Sequence, residues 1–472
     1  MFRSLVWKEI LDHLLSFRFV AGLLFVFALF IASSLIFSKK YAGQYADYRQ
    51  QQQAQEAALD VSKGGLQRLY RARVPTMKEP RLTLFFASGN ESRFPQSLTV
   101  VPSASSRGGL YAGMNIAAQR SNYKLDSYHD FDIVFIVGVV LSFLAIVLSY
   151  DGISGERARG TLKQQLSNPI FRIQVVLAKY AAILIPLLIP VVLGSLVCVI
   201  VILLQTGQNI LFLYPLQSLL NTVLSALFLS IFVWLGLWMS AATSRSVTSL
   251  SLLLLVWTFI VILSPSLGGM VAQRFHHVSG QADYDRKFQQ FVNEALRKAP
   301  AAYSDYYAGK QSEQGWKDIE QFFETQNTVM EGMVVSRFNE LLGQAETADR
   351  FNFFSPYGAF RQSVERLSNT GLSYHKKFFD ASLRYRHTLA SFIKETDLRD
   401  QESSHRLIPF PGMLSISTKP LDPNQIPRFA LPSRQVSMMD LQNALPGILY
   451  LVFANIVAFF LTIGTFSRAD VR

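Results

Sequence analysis

Six stretches of this chain, residues 19–37, 133–149, 181–204, 219–239, 247–263 and 445–466, are apolar throughout and hold no internal Asp, Glu, Lys, Arg or His. At about 1.5 Å per residue, a helix of such length crosses most of a hydrocarbon layer about 30 Å thick. A segment in lipid must satisfy its own backbone polar groups, and for runs of this composition the helix does so. The sequence therefore predicts an α-helical polytopic membrane protein with six transmembrane helices. Spans without ionisable groups also argue against a carrier driven by protons or ions, because such groups mark the ion path.

The short stretch 150–180 sets the orientation. Arg157, Arg159, Lys163, Arg172 and Lys179 face only Asp151 and Glu156 in charge, and a short basic loop between spans belongs on the cytoplasmic side. The N-terminus then lies inside as well, with Arg3, Lys8 and Arg18 before the first span. Over residues 1–18, Phe2, Val6, Ile10 and Leu14 recur every four positions opposite Lys8, Glu9, Asp12 and Ser16, which predicts an amphipathic helix on the inner leaflet. A cleaved signal peptide is the alternative; the two acids and the long apolar run oppose it. Pro186 and Pro190 in the third span remove backbone donors and serve either gating or packing. The tail 467–472 ends inside.

Residues 38–132 and 265–443 become extracytoplasmic inserts, together a mixed α/β, mainly helical domain. In the first, helix is expected through Tyr45 and Tyr48 to Tyr70, with short β-like runs at 80–86 and 97–101. In the second, apolar residues keep a helical period from Trp316 to Leu342, and more helix is expected from Phe360 to Ile393. Pro409, Pro411, Pro420, Pro423, Pro427 and Pro432 then predict an extended return to the membrane.

The chain has 472 residues, 50% of them hydrophobic, and a formal charge of +12. No block of like charge stands out, so nucleic acid is not an expected partner. Cys198 is the single cysteine and lies in a span, which excludes an intrachain disulfide. Gly155 and Gly160-Thr161 imitate a phosphate loop but lack its lysine, so the chain is not expected to hydrolyse ATP alone. No catalytic residue and no metal site is predicted. His276 and His277 diverge, His375 and His387 stand apart, and all four read as surface histidines. Asn221 and Asn455, the strongest polar residues within the spans, are either interhelical hydrogen-bond formers or pathway residues.

Asp151-Gly152-Ile153-Ser154-Gly155-Glu156-Arg157, followed by Gly160-Thr161-Leu162 and then Asn168-Pro169, Arg172 and Lys179, resembles the membrane (permease) subunits of type-2 ABC exporters. Ala158 departs from the many relatives with a second acid there. Lys78-Glu79-Pro80-Arg81-Leu82 and the basic C-terminus are similar to the branch of that family with large extracytoplasmic inserts. The resemblance implies that 150–180 is a coupling segment, in which Asp151, Gly155, Glu156, Arg157, Gly160, Thr161, Leu162, Asn168, Pro169 and Arg172 serve contact with an ATPase. It also implies separate ABC ATP-binding subunits that carry ATP and Mg, a second identical or related permease subunit, and residence in a bacterial inner membrane. The chain itself holds no cofactor by this reading. Membrane lipid and a periplasmic protein are further expected partners. Cargo stays open among lipid, peptide, glycan and drug; a mechanotransmission or signalling device that moves its outer domain without transport is the alternative.

Overall fold

The computed structural model describes residues 2–61, 64–91, 94–103, 131–167, 171–276, 278–310, 312–408, 412–431 and 438–468. Six of its helices are long and apolar enough to cross a membrane: Phe17–Leu59, Ile133–Arg159, Arg172–Thr206, Pro215–Ala242, Ser246–Phe275 and Asp440–Arg468. They bundle around one large apolar core that includes Phe30, Leu144, Phe228, Phe232, Leu237 and Leu451. The chain is thus a multi-pass, largely α-helical membrane protein. One end of the bundle carries both termini and the other carries the two inserts; these are called the terminal face and the insert face.

On the terminal face, the helix Phe2–Leu14 stops at Ser16, whose Oγ accepts from the Phe19 amide at 3.2 Å and starts the first span. That span does not end with its apolar run. It continues unbroken for 43 residues to Leu59, about 64 Å, because Tyr41, Tyr45 and Tyr48 stack along one side of its polar extension and keep it helical. The expected helix before Tyr70 is therefore two pieces, the end of the first span and Gly65–Arg71.

Of the two β-like runs expected in the first insert, one shifts. The strands are Val74–Met77 and Ser97–Val100, paired antiparallel with Val74 opposite Val100. Leu82–Phe85 is instead a single 3-10 turn in which all four residues are buried, so burial on every side, rather than two-sided alternation, shaped that apolar run. The second insert contributes helices at Glu313–Asn352, Pro356–Leu367 and Leu372–Leu398. Its return path is extended except for a short turn at Pro423–Gln425; Pro409, Pro411 and Pro432 lie outside the described residues. The inserts share a core in which Leu66, Leu69, Val74 and Val100 of the first meet Tyr385, Leu389 and Ile393 of the second.

The second insert also descends between the spans. Ser355 Oγ donates to the Ile260 carbonyl at 2.9 Å, and Tyr450 OH donates to the Phe354 carbonyl at 2.6 Å. Ile260 lies about 21 Å along its helix from Ser246 at the terminal face, inside the apolar layer. From that turn, Pro356–Leu367 climbs back: Phe360 stacks on Phe228 at 4.5 Å, and Tyr357 packs on Gly138. Spans two and five are π-helical just there, at Ile136–Leu141 and Thr258–Leu263. The wider turn removes ordinary ladder bonds, which makes the Ile260 carbonyl available to Ser355.

Candidate coupling site

After Ser149 the second span turns and forms two short helices, Ser154–Arg159 and Thr161–Leu166, hinged at Gly160. Gly160 sits at φ 74° as the cap of the first, a left-handed conformation that a side chain resists. Gly160→Val is expected to cost about 1–2 kcal/mol, read as faster amide exchange across 154–166, because no other atom crowds the position.

Each end of the segment is fastened to a different span. The amides of Ile153 and Ser154 both donate to Ser240 Oγ, at 3.0 and 2.9 Å, while Ser154 Oγ meets Ser246 Oγ at 3.1 Å. Arg157 donates to the Thr243 and Ala241 carbonyls at 3.2 Å each, which satisfies the carbonyl end of span four. Asp151 pairs with Arg18 at the base of span one at 2.9 Å, and Arg18 also lies over the Tyr150 ring. Arg172 donates to the Ser467 carbonyl at 2.7 Å and so caps the last span. Leu162 is buried in the main core, and Gly155 packs on Asp151.

The centre of the site is Lys179, only 3% exposed. Its Nζ lies 2.6 Å from Glu156 Oε1 and 3.4 Å from Glu9 Oε1. Gln165 Nε2 bridges the same two carboxylates, at 3.2 Å to Glu156 and 3.5 Å to Glu9. One buried cation thus ties the N-terminal helix, both short helices and span three together. The opposite side of the short helices is exposed: Ala158, Arg159, Thr161, Lys163, Gln164 and Ser167. What the segment offers chemically is a fixed polar and basic face whose back is locked to the bundle.

The sequence-predicted residues divide accordingly. Asp151, Gly155, Glu156, Arg157, Leu162 and Arg172 face inward or bind neighbouring spans, whereas Gly160 and Thr161 are on the exposed side. Asn168 and Pro169 lie outside the described residues. Sequence reasoning missed Glu9, placed on the solvent side of an amphipathic helix but buried here, and Ser240, an ordinary serine near a span end. A carboxylate beside Ile10 on a helix next to spans, with an unmatched Lys179 downstream, was the available signal.

Asn455 is fully used between helices: Nδ2 donates to the Leu227 and Leu451 carbonyls at 2.9 and 2.8 Å, and Oδ1 accepts from Ser230 at 2.6 Å. Asn221 is 3% exposed, and its amide atoms make no hydrogen bond among the described residues. The surface reading of His375 is corrected: it is 1% exposed, with the Phe94 ring stacked on it at 4.8 Å, while His387 remains at the surface.

Six apolar helices, a latched pair of short helices on the terminal face and two inserts define a polytopic α-helical membrane protein. The chain belongs to the ABC-2 family transporter proteins, whose family model matches residues 3–471. A comparison with curated proteins gave no match.

Proposed function

We propose that the chain is the permease subunit of an ATP-driven exporter, with a separate nucleotide-binding subunit docking on the terminal face and two permease subunits, identical or related, completing the transporter. The observation that carries this reading is the exposed face of 154–166, anchored at its back by Lys179 and Arg157. By the positive-inside argument the terminal face is cytoplasmic and the inserts lie beyond an inner membrane. The partner's ATP and Mg supply the energy; this chain's residues transmit it. Closure of the ATPase pair presses on Arg159, Thr161 and Lys163, and the Glu156–Lys179–Glu9 bridge passes that displacement to span three and the N-terminal helix. Asn221 is the residue we assign to the cargo path, since its buried amide is unpaired among the described residues.

The test is co-purification of an ATPase from the native membrane. A double substitution, Arg159→Glu with Lys163→Glu, is expected to weaken that association at least about tenfold at low salt, and by less at high salt, as for exposed charges at an interface. Undiminished association would remove the proposed docking face.

The unbroken helix from Phe17 to Leu59 favours a second reading, in which the same ATPase moves the insert domain as a lever without passing cargo. Spin labels on the exposed side of 49–56 that shift during ATP turnover, in vesicles accumulating no cargo, would support it. Labels that stay still would return the argument to export.

A further inference from the structure

Lys78-Glu79-Pro80-Arg81-Leu82 has no part in the proposed coupling site, yet it builds a buried charged cluster in the insert domain. Lys78 follows the strand Val74–Met77, and its Nζ lies 2.7 Å from Nδ1 of His375 on the helix Leu372–Leu398. Glu91 sits against both: Oε1 is 4.0 Å from Lys78 Nζ, and Oε2 is 3.6 Å from His375 Nε2. Arg81 lies flat on the Tyr374 ring, 3.5 Å from its centroid, and donates to the Asn369 carbonyl at 2.7 Å. Tyr48, on the extension of the first span, bears electrostatically on Tyr374. Phe94 stacks on His375 and Phe378 faces Lys78. Lys78, Arg81 and Glu91 come from the first insert, His375 and Tyr374 from the second.

An ammonium only donates, so the 2.7 Å contact requires His375 Nδ1 to be the acceptor. The ring is therefore neutral with its proton on Nε2, which lies 3.6 Å from Glu91 Oε2, beyond hydrogen-bond reach. A protonated ring has no acceptor for Lys78 and would place two cations in contact. Burial, then Lys78 and Arg81, hold His375 well below the ordinary histidine range. Burial also lowers Lys78, to about 8. Glu91 lines a cleft at the outer end of the first span, beside Lys40, Gln44 and Asp132, which gives protons a route to the cluster.

We propose that Lys78, His375 and Glu91 form a proton-binding joint that fastens the first insert to the second and releases it on acidification. Both bases are depressed in the closed state, so the closed state loses stability as pH falls and gains it as pH rises. Opening exposes His375, which then titrates near about 6.5; between pH 7.5 and 5.0 the opening equilibrium rises about thirtyfold. Between pH 7.5 and 9.5, Lys78 sheds its proton in the closed form first, and opening falls about twentyfold. Since the first insert rides on the first span and the second on spans five and six, the joint sets whether the insert domain moves as one body.

The experiment is hydrogen exchange on the full chain in lipid nanodiscs without any ATPase, at pH 5.0, 7.5 and 9.5, corrected for intrinsic rates, over 74–91 and 365–381. The native protein is expected to show both changes. His375→Gln supplies an accepting oxygen and a donating amide that do not titrate, and should cut the acid response below about threefold. Lys78→Met should abolish the alkaline tightening. A flat native profile overturns the proposal, as does an acid response that His375→Gln leaves intact. Should the glutamine variant fail to fold, the alkaline arm decides: tightening that persists in Lys78→Met excludes the joint. None of these outcomes depends on an ATPase partner, so they stand apart from the permease reading.

Discussion

Lys179→Met is expected to destabilise the protein by about 3–5 kcal/mol, the usual consequence of removing one partner from a buried charge pair. Methionine keeps the volume, so the loss isolates charge. Without the cation, Glu9 and Glu156, both linked to Gln165 at 3.5 Å or less, face each other inside the bundle without the charge they share. One protonates or the N-terminal helix lifts away. Thermal unfolding of the purified chain measures the first effect, and ATP turnover of the complex the second. Adding Glu9→Gln and Glu156→Gln to Lys179→Met should restore most of the stability, because neutral amides remove the repulsion, but not the coupling. If the single variant melts like the native protein, the bridge is not what holds the terminal face together.

The second large effect is expected at Phe360→Ala. Phe360 is fully buried, stacked on Phe228, on the helix that climbs out from between the spans. Truncating a buried phenylalanine costs about 3–5 kcal/mol through lost contacts and the cavity left behind. Lipid is as apolar as the ring, so the loss here is packing rather than transfer from water. The ring sits at the centre of a wedge that is also held at its ends, by Ser355 to Ile260, Tyr450 to Phe354, Tyr357 on Gly138, Ser363 against Gly447 and Arg366 to the Asn443 carbonyl. Phe360→Ala should therefore lower the melting temperature and raise thiol labelling of a cysteine placed at Ser142, which Trp257 covers in the native bundle through a 2.9 Å bond. Unchanged labelling would show that the wedge does not seal the bundle there.

The features legible in the sequence are those that local composition dictates. Six uncharged apolar runs become six membrane-length helices because lipid admits little else. The amphipathic period of 316–342 becomes a long helix, because that signal repeats within a few residues of itself. Pro80–Phe86 reads as strand and is not one, because an apolar run buried on all sides carries no period to distinguish strand from turn.

The proposed coupling site is legible as a place but not as a mechanism. Its residues stand in one stretch, so the segment can be found; Glu156 reads there as a point of partner contact. Its use is decided by Glu9 and Lys179, distant in sequence, whose distances to each other are set by how the N-terminal helix packs on span three. The same holds for the insert domain: nothing in Lys78 or His375 announces a partner about 300 residues away, and hydrophobic period alone cannot tell a buried histidine from a surface one. By itself, then, the sequence determined which segments are apolar enough to become membrane-length helices, since transfer energies attach to single residues. The tertiary structure alone decided which charges are buried together and where the second insert re-enters the bundle, since those depend on packing between segments that share no local signal.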